Sequence, residues 1–72
     1  MNKEKIIDLI KKSKKNEIVL ICGKFINYKD KNGNEVEIEI PAHERQQVWD
    51  CVHDEMVFVF IDNNMQTLVK LK

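Results

Sequence analysis

The sequence predicts a small α+β protein in which two helices pack on a four-stranded, mostly antiparallel sheet, in the order αββαββ. Apolar residues recur at helical spacing near the N-terminus, one stretch alternates strictly between apolar and charged residues, and two further apolar runs are bounded by turn residues. A chain of 72 residues with 43% hydrophobic content predicts one domain spanning residues 1–72. A small, strongly bent β-barrel with an N-terminal helix is the alternative architecture.

The first predicted helix spans residues 3–15. Its apolar residues fall on one side at helical spacing, with lysines around the rest of the helix. A basic cluster, KKSKK, occupies the predicted last turn, where positive charge complements the carbonyl end of the helix dipole. The apolar side is formed by Ile6, Ile7, Leu9 and Ile10, and the basic cluster contains Lys11, Lys12, Lys14 and Lys15.

Two strands and a hairpin turn are predicted next. Residues 17–28 read as one long central strand that is apolar on both faces, with a bulge at Gly23. The DKNG turn at residues 30–33 has a side-chain acceptor first and glycine last, as a type I turn followed by a G1 bulge requires. The EVEIEI stretch at residues 35–40 then alternates strictly, which predicts a strand with Val36, Ile38 and Ile40 facing the core.

The second half of the chain predicts a helix and a second hairpin. Pro41 ends the preceding strand, and a helix follows over residues 42–54. Residues 56–61, MVFVFI, are apolar on both faces and lead through a DNNM turn to the last strand. Positive φ at Asn63 and Asn64 would place Phe58 opposite Val69, Phe60 opposite Thr67 and Val59 opposite Leu68.

The stretch WDCVHDE, within the second predicted helix, concentrates reactive side chains, but helical spacing separates them. Trp49 and Val52 face the core and Asp50 and Asp54 face outward. Cys51 and His53 are 200° apart by helical periodicity. Two residues on opposite flanks of a helix cannot share a metal ion, so we expect no metal or other cofactor at Cys22, His43, Cys51 and His53. The cysteines are interpreted as buried and the histidines as exposed.

Catalytic patterns are weak in this sequence, and we expect the protein not to be an enzyme. His53 and Asp50 could form an oriented base, but Cys51 points away from both on a helix. Gly23 and Gly33 are the only glycines, so there is no glycine-rich phosphate loop. The pattern therefore favours binding over chemistry.

The composition indicates a cytoplasmic protein with no membrane span. No apolar signal segment follows Met1, and no window approaches the roughly 18 apolar residues that a spanning helix needs. Lysine outnumbers arginine eleven to one, which suits an AT-rich coding sequence from a low-GC bacterium or its phage.

The sequence predicts a non-enzymatic interaction module that forms a homodimer or binds a larger partner, such as an accessory or inhibitor protein of a phage or mobile element. Nine lysines and four acidic residues give residues 1–31 a net charge of +5, and residues 32–72 carry −5. The alternative is a nucleic-acid-binding protein that uses its lysine-rich helix. Three residue sets carry these hypotheses: an oligomer interface at Val57, Val59, Ile61 and Leu68; an acidic partner-binding face at Glu37, Glu39, Asp50 and Asp54; and phosphate contacts at Lys11, Lys12, Lys14 and Lys15.

Overall fold

The structure is a computed structural model that describes residues 2–72. These residues form two α-helices and one five-stranded antiparallel sheet, and the second helix lies in sequence between the third and fourth strands. Their bounds are α1 Lys3–Lys12, β1 Glu17–Ile21, β2 Phe25–Lys29, β3 Glu35–Glu39, a 3₁₀ turn Ala42–Glu44, α2 Arg45–Glu55, β4 Met56–Ile61 and β5 Gln66–Leu71. The strands lie side by side in the order β3-β2-β1-β5-β4. The α+β class is confirmed, and because the sheet is open, the barrel alternative is wrong.

The predicted long strand over residues 17–28 is two strands, which is why the sheet has five strands and not four. Cys22 and Gly23 both have positive φ, 54° and 67°, and the N–H of Lys24 donates to the carbonyl of Ile21 over 2.9 Å. Two consecutive positive φ values with this hydrogen bond are features of a type I′ turn, within a three-residue loop that joins the paired residues Ile21 and Phe25. A Cβ placed on Gly23 would lie 2.9 Å from Nε1 of Trp49, so the turn backbone packs directly against the indole ring.

Both helices pack on one face of the sheet, which we call the inner face. Helix α1 contributes Ile6 and Ile10, and α2 contributes Val48, Cys51 and Val52. They meet buried strand residues that share the inner face, namely Ile18, Leu20, Ile26, Met56 and Val69, together with Ile40 just beyond β3. Among residues 2–72, eleven buried apolar residues form this core.

The other face of the sheet, the outer face, is covered by neither helix. Strand pairing places Asn27, Val19, Leu68 and Phe60 in one row across β2, β1, β5 and β4. None of these residues is fully buried. The apolar residues of the outer face therefore remain in contact with solvent.

Helix α1 ends earlier than predicted because Ser13 caps it. The Ser13 hydroxyl donates to the carbonyl of Ile10 over 2.6 Å, and Ser13 pairs with Asp30 as an isolated bridge. At the other end, Oδ1 of Asn2 accepts from the N–H of Lys5 over 3.0 Å, a normal N-cap. Lys14 and Lys15 consequently lie in the loop that follows the helix.

Two hairpin turns of the protein have the same hydrogen bonds. In the first, Oδ1 of Asp30 accepts from the N–H groups of Asn32 and Asn34, and Gly33 has φ +85°. This confirms the predicted type I turn with a G1 bulge. In the second, Oδ1 of Asp62 accepts from the N–H groups of residues 64 and 66, and the residue at the glycine position is Met65, with φ +60°.

The predicted pairing of the last hairpin is correct in part. Phe58 lies opposite Val69 as expected, but Phe60 lies opposite Leu68 and Ile61 opposite Thr67, because Val59 forms a bulge. The positive φ expected at Asn63 and Asn64 occurs at Met65 instead. The turn is thus longer than the predicted two-residue loop, and the bulge takes up the change of register.

Candidate functional site: the exposed β4 edge

Strand β4 carries the most conspicuous exposed surface among the described residues. Val57 through Ile61 are all exposed although all are large and apolar, with Phe60 at 60% and Ile61 at 62%. Met65, in the following turn, is 68% exposed. Large contiguous apolar patches are uncommon on protein surfaces, so this strand is the candidate for contact with another molecule. We call β4 with Met65 the β4 edge.

The backbone of β4 is free to pair on one side. The carbonyl of Glu55 accepts from the N–H of Lys72, and the N–H of Asp62 donates to Gln66, over 3.2 and 3.0 Å. Hydrogen-bonded and non-hydrogen-bonded pairs alternate along an antiparallel ladder. The N–H and C=O groups of Phe58 and Ile61 therefore point away from β5, toward the open side of the strand. The N–H of Met56 is not free, because it donates to the carbonyl of Val52 at the end of α2.

The opposite edge of the sheet is protected in a way that β4 is not. Strand β3 carries the exposed residues Glu35, Glu37 and Glu39, and charges on an edge strand disfavour pairing with another chain. Residues Met56–Ile61 contain no charge and no proline. Of the two edges, β4 is the one suited to adding another strand.

The ends of β4 are electrostatically satisfied within the protein. Glu55, just before the strand, forms an ion pair with Lys3, and this pairing raises the pKa of Lys3. The Asp62 carboxylate, just after it, accepts two backbone N–H groups of its turn, each over 2.9 Å. No charged group at either end of β4 therefore needs a partner from outside.

Aromatic side chains from helix α2 support the inner side of β4. The rings of Trp49, His53 and Phe58 form a cluster, with centroids 6.3 Å apart for Trp49 and His53 and 5.7 Å apart for His53 and Phe58. Trp49 and Phe58 stack at 6.5 Å. The WDCVHDE stretch of α2, which concentrates reactive side chains in the sequence, thus supplies two rings that pack against the edge strand.

An open cleft of about 270 Å³ extends from Trp49 toward the tip of the hairpin. It is lined by Trp49, Cys22, Ile61 and Met65 among others. The carbonyl of Met65 accepts from the N–H of Cys22 over 3.1 Å, which ties the β4–β5 turn to the β1–β2 turn. The apolar surface therefore continues from β4 onto two turns that hold each other in place.

Met65 is held in a strained conformation at the rim of this cleft. A left-handed backbone conformation costs a residue with a side chain about 1–2 kcal/mol. The equivalent position in the turn between β2 and β3 has a glycine, Gly33. Strain of this kind persists at functional sites, where the side chain does something that glycine cannot. Here it places an exposed apolar side chain beside β4.

The predicted oligomer interface lies on and beside β4, but its residues do not share one face. Val57 and Leu68 lie on the outer face, and Val59 is the bulged residue. Ile61 pairs with Thr67, whose side chain is buried on the inner face. The predicted interface residues thus form an edge with apolar side chains on both sides of the sheet, and not a single sheet face.

The structure does not bring together the residues of the predicted acidic face. Glu37 and Glu39 lie on the outer face of β3, while Asp50 and Asp54 lie on the exposed side of α2, which covers the inner face. Asp50 accepts a hydrogen bond from Nε2 of Gln46 over 3.0 Å. The four carboxylates form two separate groups on opposite sides of the sheet.

The cysteines and histidines also lie apart. Cys51 is buried and its thiol lies 3.9 Å from the carbonyl of Lys3, whereas Cys22 is exposed in its turn, so the expectation that both cysteines are buried was wrong for Cys22. Burial raises the pKa of the Cys51 thiol, which keeps it protonated and unreactive. His43 and His53 are exposed. Within residues 2–72 no three His, Cys, Asp or Glu side chains converge as metal ligands would.

The lysines of the predicted phosphate contacts lie at the C-terminal end of α1 and in the loop after it, far along the sheet from β4. Strands β1 and β5 lie between the β4 edge and β2, whose end is joined to the loop that carries Lys14. In the part of the chain that the structure describes, no helix has the length and apolarity needed to cross a membrane.

Comparison with known proteins gives no family for the chain: no protein-family model matches it, and neither the curated proteins nor the solved structures return a significant match.

Proposed function

We propose that this protein is a cytoplasmic, non-enzymatic interaction module that acts as a homodimer, in which the β4 strands of two copies pair antiparallel across a twofold axis. The observation that carries the proposal is the β4 edge: an unpaired strand with five consecutive exposed apolar residues and no charge. Addition of a strand to an open sheet edge is a general mode of polypeptide recognition. The two sheets would join into one continuous ten-stranded sheet.

A second copy is the occupant that the charges favour. An interface around a twofold axis places each surface patch against itself, so it must be free of unpaired like charges. The β4 strand is uncharged, its flanking acids are engaged internally, and the chain has a net charge of zero. The glutamates of β3 disfavour head-to-tail pairing of β3 with β4, so association stops at two copies.

The small size of the domain, which limits the stability of a single copy, supports the same proposal. A single domain of 72 residues with a core of this size gains roughly 3–5 kcal/mol from folding. Burying Phe58, Phe60 and Ile61 against a second copy adds stabilisation that depends on protein concentration. The Val59 bulge limits how far the new ladder extends, which favours a closed dimer over a fibre.

Sedimentation equilibrium tests the proposal on the unmodified protein. We expect a mass twice the 8.5 kDa of one chain at micromolar concentration, with dissociation on dilution. A reductant is needed because the exposed thiol of Cys22 could link two copies covalently. A single species of 8.5 kDa at all accessible concentrations would contradict self-association.

A further inference from the structure

We propose that single-stranded nucleic acid binds to a basic surface around Tyr28, separate from the β4 edge. This surface is made by the C-terminal end of α1, the loop after it and the end of β2 with its turn. Six lysines surround it, three on each of two adjoining clefts, and we call it the Tyr28 surface. They are Lys11, Lys12 and Lys31 on one cleft and Lys14, Lys15 and Lys29 on the other.

The fold, and not the sequence cluster alone, assembles this surface. The N–H of Lys14 donates to the carbonyl of Lys29 over 2.7 Å, and Ser13 pairs with Asp30. These two contacts hold the end of α1 and its loop against the end of β2. Lys29 and Lys31, which lie outside the KKSKK cluster, thereby come beside it.

The lysines of the Tyr28 surface are available to bind anions. Within residues 2–72, none of the six has a carboxylate within 4.0 Å of its ammonium group, in contrast to Lys3. Four carboxylates also border the two clefts, those of Asp8, Asp30, Glu17 and Glu35. Asp30 uses its Oδ1 to hold its own turn, and six cations against four anions leave an excess of positive charge.

The rest of the lining suits bases better than a simple polyanion. Tyr28 is half-buried and lines both clefts, so it lies at their junction. The first cleft, of about 250 Å³, also has the apolar Val19 and Leu68 in its lining. Aromatic and apolar surface beside lysines is the combination by which proteins bind single strands, because bases stack while cations track the phosphates.

The geometry favours a single strand over a duplex. The cleft of about 250 Å³ includes residues of the outer face, whereas the cleft of about 570 Å³ lies beside α1 on the helix side of the sheet. A ligand that occupies both must bend sharply at Tyr28. Duplex DNA stays stiff over roughly 150 base pairs, whereas a single strand bends at each nucleotide.

This surface is independent of the proposed dimer contact. Strand β2 is separated from β4 by β1 and β5, so pairing through β4 leaves the Tyr28 surface open on both copies. A monomeric variant should therefore retain the site, although a dimer would present two of them.

Fluorescence anisotropy with labelled oligothymidylate of about 16 nucleotides tests the proposal at low salt. We compare Lys12→Gln with Lys15→Gln against Lys5→Gln with Lys24→Gln, which removes the same charge away from Tyr28. The first pair should reduce the slope of log K against log salt by about 1.4, since each phosphate contact on a single strand contributes about 0.7. The control pair should leave the slope unchanged.

The aromatic part of the proposal has its own variants. Tyr28→Leu should weaken binding roughly tenfold and Tyr28→Phe should retain it, because stacking needs the ring and not the hydroxyl. If circular dichroism shows that Tyr28→Leu is unfolded, the lysine pairs decide. Absence of binding at low salt, or equal loss in both lysine pairs, would overturn the proposal. Equal competition by inorganic polyphosphate or by duplex DNA would overturn it as well, because binding would then depend on charge alone.

Discussion

Replacement of Phe60 by lysine is expected to convert the protein from a dimer to a folded monomer. Phe60 is 60% exposed on the outer face of β4, so its loss leaves the core of the monomer intact. A central interface aromatic contributes 2 kcal/mol or more, and each dimer contains it twice. The dissociation constant of the dimer should therefore increase by about 10³-fold or more. A lysine on the edge strand further disfavours pairing with another strand.

The matched control for this variant is Glu37→Gln on the opposite edge. It changes the net charge by the same amount as Phe60→Lys and lies on the same face of the sheet, on β3. Sedimentation should show a monomer for Phe60→Lys and a dimer for Glu37→Gln. A dimer that survives Phe60→Lys with unchanged affinity would mean that the copies associate elsewhere.

Replacement of Met65 by glycine is expected to stabilise the fold and to weaken the dimer. Glycine removes the strain at φ +60°, a gain of about 1 kcal/mol. In the monomeric Phe60→Lys background, this should raise the Tm by about 4–8 °C for a domain of this size. In the otherwise unmodified protein, the same change removes an exposed apolar side chain beside β4, and the dimer should dissociate at higher concentration.

The turn between β2 and β3 provides the control with the reverse substitution. Gly33 has φ +85° in a turn with the same hydrogen bonds, and a Cβ there meets no atom within 4 Å. Gly33→Met adds the backbone strain without a clash, so thermal unfolding in the monomeric background should show a Tm lowered by a similar amount. A lower Tm for Met65→Gly would contradict the strain at Met65, and an unaffected dimer would remove Met65 from the interface.

The α+β class, both helices and the EVEIEI strand could be predicted because they depend on local periodicity. The split of residues 17–28 could not, because Cys-Gly is not a common type I′ turn pair and the outer face of β1 is apolar as well, so no alternation marked the turn. The glycine was identified but assigned to a bulge. The contact that makes it necessary, with the indole of Trp49, is long-range and leaves no local pattern.

The position of the candidate site in the sequence could be predicted from its apolar composition, but the faces of the sheet that its residues occupy could not, because they depend on the strand register. An apolar run in MVFVFI indicated a surface that meets another molecule, but which side of the strand each residue occupies depends on the bulge at Val59. A one-residue change of register exchanges the two faces of a strand. Ile61 therefore lies on the face of the sheet opposite to that of Leu68, and not on the same face as predicted. That β4 lies at an edge follows from strand order, which is set by the whole topology.

Backbone amide hydrogen exchange at β4 tests the central claim of self-pairing most directly. The N–H of Phe58 points away from β5 and has no partner in one copy, and the N–H of Glu37 is its counterpart on the protected β3 edge. We expect Phe58 to exchange slowly at high protein concentration and quickly on dilution or in Phe60→Lys, while Glu37 exchanges quickly throughout. Fast exchange of Phe58 at every concentration would contradict pairing through β4.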